Sequence, residues 1–491
     1  MDHRGFFRPN GAWVGDVIPW QQDGEFHLFY LHESRQVPKV GMPWHRVVTD
    51  DLVEFRDDGA AVASGGPDAD DFNIYTGSIV LDDDGVHHVF YTGQNPERRG
   101  ADGLPLQLVM HATSRDGMRS WERHPEDTFG ATAGYETADW RDPFVFRDPE
   151  SGGWRMLVTA RHADGPERRR GVIAQCVSTD LRTWNAVAPF WDPRRYLAHE
   201  CPEVFEWNGW WYLVFSEFSE SFTTRYRMSR HLDGPWIVPA DDTLDGRAYY
   251  AAKSAERGGR RFFFGWISSR AGGTDDGAWQ WAGTLSVLEA EQRPDGTLRF
   301  HPPRELAETF GRPLPGLAAG TTLTAPDGYA DALVAAPTPD AFRIVARFDI
   351  AADTTECGVL LRASEDGDQA YVLRLEPRRG RLVFDRWPRR RIGGEQWEIS
   401  GDVPFAVELE RPVALGPGEH VLDVVVDGDI CVATVDASVV LSTRLYDRRA
   451  GRVGAFVGEG SVVVTEFAVS TRDPRADRAD GSRETDLIAA G

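Results

Sequence analysis

Five runs of aromatic and aliphatic residues with similar patterning recur along the first three hundred positions. They are HLFYLHE from His27, HHVFYTGQN from His87, WRMLVTARH from Trp154, WYLVFSEFS from Trp211 and RFFFGWISS from Arg261. Each run follows a Gly, Asp or Asn turn, which predicts that it is the second strand of a β-hairpin. Their spacing, about fifty to sixty-five residues, is typical of four-stranded propeller blades with long loops. The pattern therefore predicts a five-bladed β-propeller over residues 1–304.

The strand that precedes each run is predicted to be the innermost strand of its blade. About ten to twelve residues upstream of the five runs lie Asp16, Gly77 with Ser78, Asp142, Glu200 and Ala251. Equivalent ends of inner strands converge on one mouth of the central channel, so three acids are expected to meet there. Converging carboxylates repel each other, which favours a chemical role for them. The prediction depends on the phase of the repeat, because a slip of one residue turns a side chain to the other face.

The pattern changes after about residue 305. Residues 305–339 are rich in Pro, Gly and Ala and are predicted to form a linker, with a short helix at RELAETF. Residues 340–470 contain alternating strands joined by Asp-Gly turns, which favour a β-sandwich. Residues 471–491 are charged and poor in aromatics, so a disordered tail is expected. The predicted fold class is all-β, a propeller followed by a sandwich.

Composition narrows the range of partners. The 491-residue chain has 17 Trp and 50 Gly, as expected of a β-rich protein with many turns, and a net charge of −23. That charge disfavours nucleic acid and anionic membranes as partners. The N-terminus lacks a basic region followed by an apolar stretch, and no later run is long enough to span a bilayer, so a cytoplasmic location is expected. Four cysteines lie far apart and form no CxxC pair, so neither a metal site nor a disulfide framework is predicted; they are Cys176, Cys201, Cys357 and Cys431.

Two short motifs occur in order along the chain, WRDPFVF with Arg141 and Asp142, and HECPEVF with Glu200 and Cys201. They resemble the RDP and EC motifs of glycoside hydrolase family 32, the β-fructosidases that include invertases, levanases and inulinases. Other similar segments are YTGSIV with Tyr75 and Ser78, WHRVVTDDLVEF from Trp44, WQWAGTLSVLEAE, and TRLYDRRAGRVGAFVGEGSVVVTEFAV. Together the segments extend the resemblance over residues 6 to 470.

The resemblance implies a retaining hydrolase of β-fructofuranosides or related furanosides, without a cofactor and with a small carbohydrate as its partner. It assigns Asp16 as the nucleophile, Glu200 as the acid/base and Asp142 as the residue that holds the sugar hydroxyls. Such a mechanism needs one ionised and one protonated carboxyl group. Apolar Cys201 and two like charges near Glu200 are expected to raise its pKa, whereas Arg141 should keep Asp142 ionised. The candidate substrate-binding residues are Trp13, Trp44, Tyr75, Ser78, Arg141, Cys201 and Tyr250.

Two of these assignments have an alternative reading. Trp13, Trp44 and Tyr75 could form an apolar platform for a sugar face, but in a Trp-rich propeller each could equally be blade packing. Arg141 could contact the substrate or serve only as an ion-pair partner.

The nucleophile motif departs from the family pattern. Family members carry Pro-Asn-Gly after the Asp, whereas here Asp16 is followed by Val17, Ile18 and Pro19. If these side chains replace sugar contacts, each buried hydroxyl left unpaired costs about 1 to 3 kcal/mol, so sucrose and common fructans should be poor substrates. The family's Asp-Phe-Tyr-Ala stretch also reads AYYA, with Ala248 in place of the acid. Asp245 could compensate or be a turn residue.

Three alternatives stay open from the sequence. An inverting enzyme, as in the family 43 arabinanases and xylosidases, would separate its two carboxyl groups by more than about 6.5 Å rather than about 5 Å. A fructosyltransferase would share the covalent intermediate and differ only in its acceptor. A non-catalytic sugar-binding propeller is the third. Linkage, exo or endo action and oligomeric state are not predicted.

Overall fold

The structure is a computed structural model and describes residues 3–388 and 407–472. Over these residues the chain is almost entirely β-structure, with thirty-one strands and one short α-helix. Contacts divide it into two compact units. The propeller unit is Gly5–Ser269 with Gln280–Arg299, and the sandwich unit is Met1–Arg4, Arg270–Trp279 and Phe300–Gly491.

The propeller unit contains five antiparallel blades, as predicted. Blade 1 is β2 (Trp13–Gln22), β3 (Glu25–Glu33), β4 (Trp44–Thr49) and β5 (Arg56–Val62), and blade 2 is β6 (Asn73–Leu81), β7 (His87–Arg99), β8 (Pro105–Ser114) and β9 (Glu122–Arg123). Blade 3 is β10 (Tyr135–Arg147), β11 (Trp154–His162), β12 (Gly171–Ser178) and β13 (Asn185–Ala186), and blade 4 is β14 (Glu200–Trp207), β15 (Trp210–Glu217) and β16 (Thr223–Ser229). Blade 5 is β17 (Tyr249–Arg257), β18 (Arg260–Arg270) and β19 (Trp279–Gln292), extended by β20 (Leu298–His301) and by β1 (Phe6–Phe7). Short 3-10 turns occupy Pro125–Asp127, Glu167–Arg169 and Ala271–Gly273.

Contacts between successive inner strands close the ring. Strands β2, β6, β10, β14 and β17 each contact the next, and β17 contacts β2. Blades 5 and 1 are also joined by a pairing of Gly283 on β19 with Val14 on β2. Every predicted aromatic run is the second strand of its blade, paired with the inner strand in β3, β7, β11, β15 and β18. Apolar side chains of neighbouring blades pack together, for example Ile18 of blade 1 against Val89 of blade 2.

All five inner strands carry a one-residue bulge at an equivalent place. The register slips at residues 15–16, 76, 142–143, 201–202 and 251–252. A bulge bends a strand and changes the direction of its side chains. Relative to the bulge, Glu200 lies just before it, Asp142 is its first residue and Asp16 its second. The predicted common phase therefore holds only to within two residues.

The sandwich unit is one hydrogen-bonded network of eleven strands. Its strands are β21 (Arg312–Leu314), β22 (Thr321–Leu333), β23 (Ala341–Ile350), β24 (Glu356–Ala363), β25 (Ala370–Glu376), β26 (Arg381–Trp387), β27 (Leu409–Pro412), β28 (Gly418–Asp427), β29 (Ile430–Val435), β30 (Val439–Arg444) and β31 (Arg452–Thr471). A 3-10 turn at Pro377–Arg379 joins β25 to β26. The edge strands β27 and β30 contact each other, so the sheet folds over on itself. Along β23, buried Phe342, Ile344, Ala346, Phe348 and Ile350 alternate with more exposed residues, as expected when one face of a strand packs inward.

The segment predicted as a linker is more regular than expected. The predicted short helix is present as α1 (Arg304–Glu308). Residues 305–339 also contain β21 and β22, and both strands pair with β31. The predicted disordered tail lies outside the described residues except for Thr471 and Arg472. In the part of the chain that the structure describes, no helix has the length and apolar character needed to cross a lipid bilayer.

Candidate active site

A cavity of about 380 Å³ in the propeller unit is lined by all three predicted acids, Asp16, Asp142 and Glu200. Two further carboxylates, Glu33 and Asp139, share the same wall. The inner strands of blades 1, 3 and 4 supply the three acids, which explains how residues so far apart in sequence meet. The structure thus brings the three predicted acids together in one cavity, along with Glu33 and Asp139, which the sequence did not predict.

Asp16 is fixed through both of its carboxylate oxygens. Its Oδ2 accepts a hydrogen bond from Thr76 Oγ1 at 2.5 Å, and its Oδ1 accepts one from Trp266 Nε1 at 3.1 Å. The thiol of Cys201 lies 3.6 Å from Oδ2. Loss of hydration raises the pKa of Asp16, while the bonds from Thr76 and Trp266 oppose that rise. These donors hold the carboxylate in one orientation, as a nucleophile requires.

Glu200 has one partner on each oxygen. Arg141 Nη2 donates to its Oε1 at 3.0 Å, and the Tyr250 hydroxyl donates to its Oε2 at 2.7 Å. Burial raises the pKa of Glu200 to about 7; Arg141 lowers it, and the charge of Asp142 raises it. The predicted direction is confirmed, with burial as the leading cause. A carboxyl group with this pKa can give up a proton and take one back near neutral pH.

Asp142 is the most buried of the three acids, with 3% of its surface exposed. Its Oδ2 accepts hydrogen bonds from Thr159 Oγ1 and from the backbone N–H of Cys201, both at 3.0 Å. Its own backbone has φ 57°, in the left-handed region, as the first residue of the bulge. Ser78 secures this turn, since its Oγ donates to the carbonyl of Pro143 at 2.9 Å. Ser78 therefore positions the Asp142 bulge.

Arg141 lies between the carboxylates of blade 3, Asp139 and Asp142, and the carboxylate of Glu200 in blade 4. Its Nη1 lies 2.5 Å from Asp139 Oδ1, whereas its Nε is 3.8 Å from Asp142 Oδ2. Burial opposes the charge of Arg141, but the carboxylates of Glu200, Asp139 and Asp142 outweigh burial and raise its pKa above its usual value. Arg141 is thus a permanent cation that partly neutralises the acids. It pairs more closely with Glu200 than with Asp142, which corrects the expectation drawn from sequence adjacency.

The predicted aromatic residues have different environments. Tyr75 lines the cavity, and its hydroxyl donates to Gln94 Oε1 at 3.2 Å. Trp13 is half-buried, and the guanidinium of Arg35 lies 3.9 Å above its ring. Trp44 is fully buried in the core between blades 1 and 2, where its indole N–H donates to the Tyr75 carbonyl at 3.1 Å. For Trp44 the packing interpretation replaces the platform interpretation.

Gly15 and Trp281 form a contact that the sequence did not predict. A Cβ atom on Gly15 would lie 2.6 Å from Cη2 of Trp281, so only glycine leaves room for the indole at this point. Trp281 lines the cavity with 37% of its surface exposed and packs against Trp266, with ring centroids 5.9 Å apart. The indole of Trp281 is therefore an exposed aromatic surface beside the nucleophile. The glycine immediately before Asp16 was the feature of the sequence that could have indicated this close contact.

The residues that depart from the family pattern lie away from the cavity. Val17 and Ile18 are buried in the cores on the two sides of blade 1. Neither side chain lines the cavity, so neither contacts a bound sugar directly, and the expectation that sucrose and common fructans are poor substrates stays a prediction. Asp245 is buried and its Oδ1 accepts from the N–H of Gly246, as a turn residue does. Ala248 is fully buried.

The model of the glycosyl hydrolases family 32 N-terminal domain matches residues 6–299, more than half of the chain. The chain belongs to glycosyl hydrolase family 32. Raffinose invertase from Escherichia coli is 28% identical over 324 residues, which cover 61% of this chain and 64% of the relative. Levanbiose-producing levanase from Bacillus subtilis (strain 168) is 24% identical over 289 residues, covering 54% and 52%. The matched segments thus span less than two thirds of these curated relatives.

Solved structures extend the likeness in fold to nearly the whole chain. Fructan 1-exohydrolase IIa from Cichorium intybus superposes with a TM-score of 0.74 at 17% identity, covering 96% of this chain and 97% of that one. Sucrose-6-phosphate hydrolase from Lactobacillus gasseri gives a TM-score of 0.72 at 18% identity, covering 96% and 93%. At these identities the likeness shows the fold, a family 32 propeller followed by a sandwich.

Proposed function

We propose that this family 32 member is a retaining glycoside hydrolase that cleaves β-fructofuranosides or related furanosides through a covalent glycosyl-enzyme intermediate. The observation that carries the proposal is the pairing of Asp16 and Glu200 in one cavity with different surroundings. Asp16 accepts two donors that favour its ionised form, whereas Glu200 has a pKa of about 7 and is available as an acid. A retaining glycosidase needs this combination of a nucleophile and a proton donor.

In the first step, protonated Glu200 gives its proton to the leaving oxygen as Asp16 attacks the anomeric carbon. The bond to the leaving group breaks, and an ester forms between the sugar and Asp16. In the second step, ionised Glu200 takes a proton from water, the water oxygen bonds to the anomeric carbon, and Asp16 leaves as a carboxylate. Asp142 holds hydroxyls of the ring through Oδ1, because Oδ2 is already engaged by Thr159 and Cys201.

The charges of the cavity favour a neutral substrate. Five carboxylates line it, together with two cations, Arg141 and Lys39. Arg141 is already paired with Glu200 and Asp139, and Lys39 lies 3.9 Å from Glu33. An anionic sugar would meet an excess of negative charge, so an unphosphorylated furanoside is the proposed substrate class. The exposed indole of Trp281 offers an apolar face for the ring.

The test is a panel of sucrose, inulin, levan and aryl furanosides, with released sugar measured for the parent protein and for a Glu200→Gln control. We expect at least one furanoside to be hydrolysed by the parent and to be nearly inert with the control. Methanol added as acceptor reports stereochemistry, because a retaining enzyme forms the methyl glycoside with the configuration of the substrate. An inverted product would instead support the family 43 type of mechanism, and turnover equal to that of Glu200→Gln would reject catalysis at this site.

A further inference from the structure

The sandwich unit has a groove on the outer face of one of its layers. One part of it, about 430 Å³, is lined by Tyr329, Trp387 and Phe456 among others. An adjoining part of about 590 Å³ shares Tyr329, Glu356 and Arg374 with the first. The two parts therefore form one elongated depression, and all its lining residues belong to the sandwich unit.

Strand register explains the shape of the groove. The strands run side by side in the order β22, β31, β24, β25 and β26. Because alternate residues of a strand share a face, the pairings place Phe456, Leu360 and Val372 on this face, together with the small residues Gly458 and Ala370. Aromatic side chains stand at its two sides, Tyr329 on β22 and Trp387 on β26. The result is a low floor between two aromatic walls.

The aromatic walls are open to solvent. Tyr329 is 55% exposed and Trp387 is 64% exposed. One face of the Tyr329 ring stacks on buried Phe456, with centroids 5.7 Å apart and an interplanar angle of 23°, which leaves its other face free. A ring supported on one side and open on the other is a platform for the C–H face of a sugar.

Polar groups between the walls suit hydroxyl groups. Asp331, Glu356, Asp366 and Asp368 offer carboxylate acceptors. Arg374 Nε donates to Glu376 Oε1 at 2.7 Å and lies 3.3 Å from Glu356, while its Nη2 is buried and has no hydrogen-bond partner among the described residues. A ligand oxygen would satisfy this donor. Over both parts of the groove six carboxylates outnumber three guanidinium groups, which disfavours a polyanion, so the chemistry fits a neutral chain of sugars.

We propose that this groove is a second carbohydrate site, separate from the catalytic cavity, that binds a neutral furanoside chain of the kind the catalytic site takes. The choice of furanosides rests on the proposed function; the choice of a neutral carbohydrate rests on the groove alone. The groove consists of two joined depressions, so it is long enough for several sugar units. It would hold a polymeric substrate on the protein during successive cleavages.

The test uses the full chain with Glu200→Gln, which removes turnover, in native gels that contain inulin, levan or dextran. Tyr329→Ala and Trp387→Ala should each weaken the apparent Kd for inulin or levan about tenfold, the order expected for loss of an aromatic contact. Tyr329→Phe keeps the ring and Trp387→Phe keeps an aromatic ring in place of the indole, so both should stay within about twofold of the parent. In the active enzyme, both Ala variants should leave kcat/KM for a small aryl furanoside unchanged.

Several results would overturn the inference. One is that no polymer retards the protein, and another is that the parent and the Ala variants are retarded equally. A third is that the parent dimerises without binding polymer and Tyr329→Ala does not dimerise, which would assign the face to a second copy of the chain. Equal retardation by dextran would overturn the furanoside assignment. If no furanoside is hydrolysed, the proposed function fails, yet the gels still report on the groove. If hydrolysis proceeds and the Ala variants bind inulin and levan normally, only this inference fails.

Discussion

The hydrogen bond from Tyr250 to Glu200 should set the upper pH limit of activity. Glu200 acts first as an acid, so kcat/KM is expected to fall as pH rises through its pKa of about 7. The Tyr250 hydroxyl donates to Oε2 at 2.7 Å, which stabilises the ionised form and lowers that pKa. Burial raises the pKa of Tyr250 itself well above 10, so the hydroxyl stays a donor throughout the range. Tyr250→Phe removes the donor alone.

The size of the effect follows from the bond that is lost. A hydrogen bond to a charged group contributes about 1.5 to 3 kcal/mol, and one pKa unit corresponds to about 1.36 kcal/mol. The pKa of Glu200 should therefore rise by roughly one to two units in Tyr250→Phe. The ring should keep its place, because it stacks on Phe222 with centroids 4.1 Å apart and packs on Trp266 at 5.6 Å.

The assay is the pH dependence of kcat/KM with an aryl furanoside whose leaving group needs protonation. The basic limb should move upward in Tyr250→Phe. Tyr75→Phe is the matched control, since Tyr75 lines the same cavity but its hydroxyl donates to Gln94, and its basic limb should stay in place. An unchanged or lowered limb in Tyr250→Phe would refute the assignment of Glu200 as the acid tuned by this bond.

Four further predictions concern the cavity. Asp16→Asn and Glu200→Gln should each lower kcat about a thousandfold or more while near-UV circular dichroism stays native. The folded-state pKa of Glu200 is raised from 4.5 to about 7, so the stability linked to its protonated form is present below pH 4.5 and is lost as pH rises through 7. Between pH 5 and 8.5, urea denaturation should therefore show the free energy of unfolding of Glu200→Gln rising by up to about 3 kcal/mol relative to that of the parent. Asp142→Asn should lower kcat/KM about tenfold to a hundredfold by steady-state kinetics, because an amide cannot accept the same charge-assisted bonds. Gly15→Ala and Trp281→Ala should each raise KM a few-fold by steady-state kinetics, because an added Cβ on Gly15 would lie 2.6 Å from the Trp281 indole and 2.9 Å from Leu31 Cβ, and both side chains line the cavity. The two effects should not add in the double variant, because the residues are in contact.

The sequence predicted the propeller well because its signal is repeated. Each aromatic run is buried against neighbouring blades, so packing forces the same pattern five times and the hairpin turns mark its edges. The acids were found for the same reason, as residues one hairpin upstream of the runs. Their exact offsets, at Asp16, Asp142 and Glu200, could not be read, because a bulge shifts the register without leaving a composition signal.

Prediction from the sequence was also limited by contacts between residues that are distant along the chain. Trp44 packs in a core because residues of blade 2 cover it, and the sequence around Trp44 does not show that these residues lie next to it. The family resemblance led us to expect Val17 and Ile18 where the family has sugar contacts, yet both side chains are buried in the blade cores. The partnership of Gly15 with Trp281 joins residues at opposite ends of the propeller unit and shows only in three dimensions.

The most direct test of the account is to look for the covalent intermediate on Asp16. The Glu200→Gln variant should be given an aryl fructofuranoside with a good leaving group, which needs no proton, so that the first step proceeds and the second is slow. Mass spectrometry of rapidly quenched protein should then show one glycosyl unit on the peptide that contains Asp16, and no adduct in an Asp16→Asn, Glu200→Gln double variant. Release of the aryl group without any adduct, or an adduct on another residue, would contradict the account.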